Sequence, residues 1–370
     1  MKSLKMLWKE ICVGLFLTFS PVIIAQQLVS GRITDATDGT PVVGASVYVA
    51  HTTVGTASDA SGNYSLTVPG RGSFEIVVSH VGYQTVSHKV DTPKNAHQFN
   101  VALETHELEE LVVNATKTYR QRDVDLFWRN ILGEIPSRRR MEVLNPEKVY
   151  YYLNSDRVLK VSCREPIEII NHQLGYRILY VIQSFEHDYR TDATTFRGMP
   201  YFEELVPQND REKERWETER QEVYAVSLNR FLRALYVGDI HKEGFLLIYA
   251  EPPKDLVLGG DTLKANKKRE FVILEDMLQA DQDMVRVNIE ELLLLVCYAE
   301  PITTKMIQNS NWRNILRGNE TLVELRPQQI SVYSDGTYSG LLTISEINGS
   351  ISGLSSKVPV EYPEIAGFAE

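Results

Sequence analysis

Sulfur is scarce in this sequence: three cysteines occur in 370 residues. Cys12 lies in a segment expected to be removed, and Cys163 and Cys297 lack the spacing of a zinc site or a redox dithiol. Each of the latter ends an apolar alternation, Leu159-Val161-Cys163 and Leu293-Leu295-Cys297, and so is expected to face a sheet interior. An oxidising compartment permits a disulfide between them; two unpaired thiols acting as small hydrophobes are the favoured reading. Basic excess is missing too. The formal charge is −10, and removal of Lys2, Lys5, Lys9 and Glu10 leaves 36 basic against 48 acidic residues, or −12. Such a surface repels phosphate backbones, so no nucleic acid partner is expected. Past residue 25 no apolar run reaches spanning length, the 292–296 run being strand-sized.

Catalytic signatures are also lacking. There is no Gly-x-Ser-x-Gly elbow, and Gly70-Arg-Gly72 is too short for a phosphate loop and joins two strands. Asp59 and Asn63 sit in a turn without the paired acidic spacing and terminal Glu of a calcium hand. His106-Glu-Leu-Glu109 has the His-x-x-Glu spacing of metallocarboxypeptidases, with His241 and Glu243 far downstream. It stands in an acidic stretch just past a strand, where a solvated strand exit is the favoured reading. The expectation is no catalytic residue, no metal and no cofactor.

What is present begins with an export signal over residues 1–25. Lys2, Lys5 and Lys9 form a positive region, 11–19 an apolar one, and Ile23-Ile24-Ala25 a cleavage end. Residues 26–104 then alternate short apolar runs with Asp, Gly, Pro, Ser and Asn turns about every ten residues, the pattern of a small antiparallel sandwich. Seven strands are read: 28–35, 43–49, 54–58, 64–68, one through Phe74, Ile76 and Val78, then 84–90 and 98–103. The third and fourth are read as a hairpin across 59–63. The fixed points Gly31-Arg-Ile33-Thr-Asp35, Asp38-Gly39-Thr-Pro41, Gly44-Ala45-Ser-Val47 and Gly55-Thr56-Ala-Ser58-Asp59-Ala-Ser-Gly62-Asn-Tyr64 resemble the carboxypeptidase-like regulatory domain, a transthyretin-like β-sandwich.

A linker is read over 105–119. Its Leu-Glu-Glu-Leu-Val-Val phrase (108–113) resembles the exit from this domain in TonB-dependent outer-membrane transporters. About 250 residues follow, too few for a plug and a large barrel. In 120–370, Val124, Phe127, Trp128, Ile131 and Leu132 fall at helical spacing, with Gly133 and Pro136 as stops. Strands are read at 149–153, 158–163, 167–171, 176–185, 245–249, 269–274, 285–288, 292–298 and 322–325. A hairpin joins 330–333 to 338–346, and one long helix is read over 210–237, its first half solvated. The chain is thus a multidomain protein: a seven-stranded all-β sandwich (transthyretin/Ig-like) followed by an α+β domain with one long helix.

The second part resembles envelope proteins of Gram-negative gut bacteria through Phe127-Trp-Arg-Asn-Ile-Leu132-Gly133, Asn145-Pro146, Pro166-Ile-Glu-Ile-Ile-Asn171-His-Gln-Leu174-Gly175-Tyr176 and Phe231-Leu-Arg-Ala-Leu235. Tyr224 and Ser227 fit that group's helix phrase, while Val226 and Arg230 replace its Gly and His. The candidate ligand or partner surface is Asn171, His172, Tyr176 and Tyr180, in a tyrosine-rich region also containing Tyr150, Tyr151, Tyr152, Tyr189 and Tyr201. Core packing explains these aromatics at least as well. Arg138-Arg139-Arg140 reads as a solvated turn open to an acidic partner or lipid headgroups. The expected product is exported, periplasmic or peripherally associated with the outer membrane, with a non-enzymatic role toward an envelope protein, peptide or glycan. The alternatives are a zinc-carboxypeptidase-like envelope hydrolase and an accessory subunit of an outer-membrane nutrient uptake system.

Overall fold

The computed structural model describes residues 26–69, 73–91, 96–105, 119–133, 140–249, 274–281, 284–298, 301–303, 321–326, 328–334, 336–340, 344–348, 354 and 357–362. The expected export segment, the 70–72 turn, His106 with Glu109, most of the linker, Arg138 and Arg139 lie outside the described residues.

The N-terminal body has two sheets. In the first, β1 (Gln26–Asp35) runs antiparallel to β4 (Asn63–Pro69) and parallel to β7 (Ala96–Gln98) and β8 (Val101–Leu103). In the second, the order is β3 (Gly55–Ala57), β2 (Ser46–Val49), β5 (Ser73–Ser79), β6 (Val86–Asp91). Alternation puts Val29, Ile33, Val47, Val49, Leu66, Ile76 and Val78 in one core between the sheets. Two details depart from the sequence reading. The final strand is interrupted at Phe99–Asn100, giving eight strands, and β3 and β4 belong to opposite sheets. The turn between them forms as expected, with Asp59 accepting from the Ser61 and Asn63 amides. It makes an arch across the sandwich, because each flanking strand finds its partner elsewhere.

Residues past 119 build two further cores. The first lies against a sheet of order β10 (Val149–Leu153), β11 (Val158–Cys163), β13 (Tyr176–Asp188), β12 (Ile167–Asn171), β9 (Met141–Val143), with β14 (Ala193–Glu204) also on β13. Helix α1 (Gln121–Leu132) covers it, Phe127 meeting Tyr151 and Phe185 edge-on at 5.6 and 5.0 Å. Strand β14 is absent from the sequence reading because Gly198 and Pro200 interrupt its pattern. Gly198 is needed there: a Cβ would lie 2.1 Å from the Tyr180 ring. The β13–β14 register shifts between Ile182 and Ser184. This bulge turns Gln183 toward the sandwich, where it donates to Glu75 at 3.1 Å.

The 210–237 segment forms two helices, α2 (Asp210–Ala225) and α3 (Leu228–Val237), in place of one long one. Ser227 causes the break. Its hydroxyl accepts from the Arg230 amide at 3.1 Å, capping a new helix whose apolar face then points to a different core. That core sits between sheets β15 (Phe245–Tyr249), β18 (Leu293–Cys297), β19 (Thr321–Leu325), β22 (Ile344–Asn348) and β16 (Leu278–Asp281), β17 (Met284–Ile289), β20 (Gln328–Tyr333), β21 (Tyr338–Gly340). The expected hairpin joins β20 to β21, but the chain then changes sheets, so 338–346 is two strands. Every residue of β18 is buried, Leu294 and Val296 on the face opposite Leu293, Leu295 and Cys297. Residue 274, expected in a strand, opens a single helical turn, Leu274–Met277.

The charged α2 docks by few residues. Trp216 and Arg220, one turn apart, are its buried side chains. Trp216 Nε1 donates to the His172 carbonyl at 3.1 Å, and its indole fills the space over Gly175, whose φ is +70°. A Cβ at Gly175 would stand 2.3 Å from that ring. Gly175→Ala therefore combines left-handed strain with overpacking, and is expected to destabilise by about 2–4 kcal/mol. Urea unfolding checks this; a loss below about 0.5 kcal/mol, the range of ordinary surface changes, would contradict it.

Candidate functional site

The four residues singled out from sequence do not share a surface. Asn171 is fully buried, its Oδ1 accepting from the Gln173 and Leu174 amides at 3.0 Å each, and its Nδ2 donating to the Leu354 carbonyl at 3.4 Å. Tyr176 is buried with the Arg220 guanidinium 4.0 Å above its ring. Tyr180 is buried beside Gly198. His172 is exposed and pairs with Glu142 at 3.0 Å. The 171–175 loop works as a receptor for α2: Arg220 donates to the carbonyls of Leu174 at 2.7 Å and Gly175 at 3.2 Å. Tyr151 is likewise buried, and Tyr201 stacks on Tyr48 of the sandwich at 4.8 Å.

Among the described residues, no group of three or more His, Cys, Asp and Glu is placed to hold a metal ion. Cys163 and Cys297 are both free, and the Cys163 thiol donates to the Lys148 carbonyl at 3.2 Å. Burial raises both thiols, Cys297 to about 12, which keeps them protonated and unreactive. Two other polar sites have structural partners. Buried Asp123 caps α1 through the Arg120 amide and accepts from the Tyr189 hydroxyl, while His187 bonds Thr194 at 2.8 Å. Arg32, Thr34, Asn100, Val101 and Ala102 line an open groove of 330 Å³, and Arg32 there donates to the Ser61 carbonyl.

A different constellation assembles where the three bodies meet. On β14 the row Tyr201, Met199, Arg197 faces the sandwich, since alternate residues share a face. Tyr48, Ala50, Val77 and Met199 are buried together, with Val181 and Tyr201 against them. Burying side chains such as Val77 and Met199 contributes about 1.5–3 kcal/mol each, more than the ~1 kcal/mol of a surface ion pair, while the gain from the Tyr48 ring is offset by its buried hydroxyl, which has no hydrogen-bond partner. The sandwich is therefore seated by apolar burial. Just beyond that patch the 51–53 loop lies against β14: the His51 amide donates to the Pro200 carbonyl at 2.6 Å and the Phe202 amide to the Thr52 carbonyl at 3.0 Å.

Residues 357–362 close the seam. The Val360 amide donates to the His51 carbonyl at 2.9 Å, and the Val360 carbonyl accepts from Asn229 at 2.9 Å and Arg233 at 2.8 Å, both on α3. Glu361 accepts from the Thr53 amide and hydroxyl. Tyr362 meets Tyr224 edge-on at 5.7 Å. His51 is thus held through both its amide and its carbonyl, with φ at +68°, a left-handed value costly for a residue with a Cβ. It keeps substantial solvent exposure although surrounding protein strips water from its ring.

Two cations act on that ring, Lys357 from the closing segment and Arg197 from β14. Tyr338 on β21, 38% exposed, feels the same Arg197 charge. His51, Arg197, Tyr338 and Lys357 were missed in the sequence because they come from four separate elements with no spacing to connect them. The His-Thr-Thr step after the buried 47–50 run is the one local hint.

Burial first, then Lys357 and Arg197, push the His51 imidazole down to about 3 from the usual 6.5. The unfolded chain takes up this proton near 6.5 and the folded chain does not. The His51 contribution is therefore complete above about 6.5 and is lost as pH falls toward 3. His187, also lowered chiefly by burial, contributes with the same sign. His51→Asn, which tolerates a left-handed backbone, is expected to flatten urea-unfolding stability against pH in that window. An unchanged slope, or a His51 signal titrating near 6.5 by NMR, would refute the assignment.

Residues 29–113 match the family model of the CarboxypepD_reg-like domain, and the N-terminal sandwich is such a domain. Over 102 residues the chain is 41% identical to the TonB-dependent receptor SusC of Bacteroides thetaiotaomicron, which is 27% of this chain and 9% of the receptor. Over 123 residues it is 31% identical to the TonB-dependent receptor P3 of Formosa agariphila, 33% of this chain and 12% of that one. The match thus spans a small part of either receptor's length. A solved DUF3823 family protein from Bacteroides ovatus aligns at 9% identity over 49% of this chain and 82% of its own, with a TM-score of 0.18. At that score the two chains have no overall superposition.

Proposed function

We propose that this chain is an exported cell-envelope protein with a non-enzymatic binding role, the CarboxypepD_reg-like sandwich serving as an interaction module for the α+β part. The observation that carries the reading is the seam, where a module shared with TonB-dependent receptors is joined by buried contacts to a second body. Export is supported by the basic-then-apolar start of the sequence, and an envelope location by the likeness to those receptors.

The SusC likeness also favours a second reading within the same class, an accessory subunit of an outer-membrane nutrient uptake system that binds the glycan or peptide taken up. Co-purification with an outer-membrane barrel in mild detergent would support it, and a uniformly monomeric extract would count against it. The hydrolase alternative requires His106, and stoichiometric zinc that is lost on His106→Ala would restore it.

Expression with a C-terminal tag in a Gram-negative host, followed by fractionation and intact-mass measurement, tests the main reading. The expected result is an envelope-fraction protein lacking the first 25 residues. A full-length cytoplasmic product would overturn it.

A further inference from the structure

We infer that the β13–β14 turn is a proton-operated clasp: when the His187 ring takes up a proton, its Nε2 captures the Asp192 carboxylate, and the first turn of α1 registers the change through Tyr189. The clasp is independent of the binding role proposed above. His187 lies on the inward face of β13, opposite Leu159 of β11 and Thr194 of β14, and its side chain is 2% exposed. Its Nδ1 meets the Thr194 hydroxyl at 2.8 Å, while Nε2, also out of water, has no hydrogen-bond partner among the described residues. A buried ring nitrogen without a partner is uncommon. Asp192 Oδ1 stands 3.7 Å from it, within ion-pair range and too far for a hydrogen bond.

The chemistry of imidazole accounts for that gap. In the neutral ring one nitrogen donates and the other accepts. With the proton on Nδ1 and given to Thr194, Nε2 turns a lone pair toward a carboxylate, and neither can donate. An imidazolium donates from both nitrogens, so the same arrangement becomes attractive, and a closure of about 1 Å makes a charge-assisted hydrogen bond. Asp192 is placed to move: its side chain is 63% exposed, at the end of a turn, with φ at +55°, a region that Asp tolerates. The other charges around the ring are engaged. Asp188 is held by Arg190 at 3.1 Å, and Asp123 of α1 by the Arg120 amide, the Tyr189 hydroxyl and Arg122 Nε at 3.4 Å. Burial opposes the proton while Asp192, Asp188 and Asp123 favour it, so the clasp closes in acid, below 6.5. Tyr189 is the relay. Its ring stands edge-on to His187 at 4.4 Å and 5.0 Å beneath the Arg122 guanidinium, and its hydroxyl donates to the Asp123 that caps α1.

The test is NMR of the full chain, with histidine rings and backbone amides labelled, from about pH 7.5 to 4.5, the span in which histidine charge changes. The His187 ring is expected to titrate below 6.5, with the Thr191 and Asp123 amides shifting at the same midpoint. Protection of the Thr191 amide against hydrogen exchange should rise about fivefold across that midpoint, the worth of one exposed ion pair. Asp192→Asn, which keeps the left-handed backbone accessible, should lower the His187 midpoint further and abolish the Thr191 response. Tyr189→Phe should spare the Thr191 response and remove that of Asp123. A His172 signal matching the unaltered chain, from a ring paired with Glu142, reports that each variant is folded. A His187 midpoint unmoved by Asp192→Asn overturns the clasp. An Asp123 amide that ignores the His187 titration, or still follows it in Tyr189→Phe, overturns the relay and with it the inference.

Discussion

One residue, Val360, fastens two bodies together, and a near neighbour reaches the third. The Val360 amide bonds the sandwich loop, and its carbonyl is shared by Asn229 and Arg233 of α3. A few residues earlier, the Leu354 side chain is buried in the core beneath α1, and its carbonyl is held by Asn171. Backbone groups removed from water need partners, so the described residues of this segment run where their amides and carbonyls are met by side chains and by a neighbouring loop. Since those partners lie on different bodies, satisfying the segment also sets how the bodies sit against one another.

The polar side chains of the second body serve a similar purpose. Arg220 is buried because the Leu174 and Gly175 carbonyls, Glu204 and the Tyr176 ring surround its guanidinium. On the opposite side of the sheet Arg177 bridges Glu168 and Glu203 at 2.7 and 2.6 Å, joining β12, β13 and β14. Without such company the Arg220 charge would carry a heavy desolvation penalty, whereas the Arg177 pairs are half-exposed and are screened by water.

Much of the fold was legible from residues alone, since period-two alternation and turn chemistry act locally. Strands 149–153, 158–163 and 167–171 coincide with the observed elements, and Gly133 ends α1 where expected. Errors arose where a tertiary partner decided. The periodicity of 210–237 was read through Ser227, whose capping role depends on the two halves meeting different cores. The 59–63 turn was read as a hairpin because local sequence records the turn and not the sheet to which each arm belongs. Tyr176 and Tyr180 share a strand face, but whether that face meets solvent or α1 and α2 is not written in their spacing. The seam was least legible of all, since Tyr48, Val77, Met199 and Tyr201 meet only once the sandwich and the second body are assembled.

The closing segment has a kinetic meaning as well. Thr53 and Glu361 are separated by 308 positions in sequence, so nearly all of the chain must be available before their bond can form. Contacts this distant carry a large loop-closure entropy and belong to late events in folding. Until then the sandwich and the domains after it can fold locally, each with its own core, while Tyr48, Val77 and the β14 row remain uncovered. For a polypeptide threaded through a membrane from its N-terminus, the final assembly would thus be deferred until the last stretch has crossed.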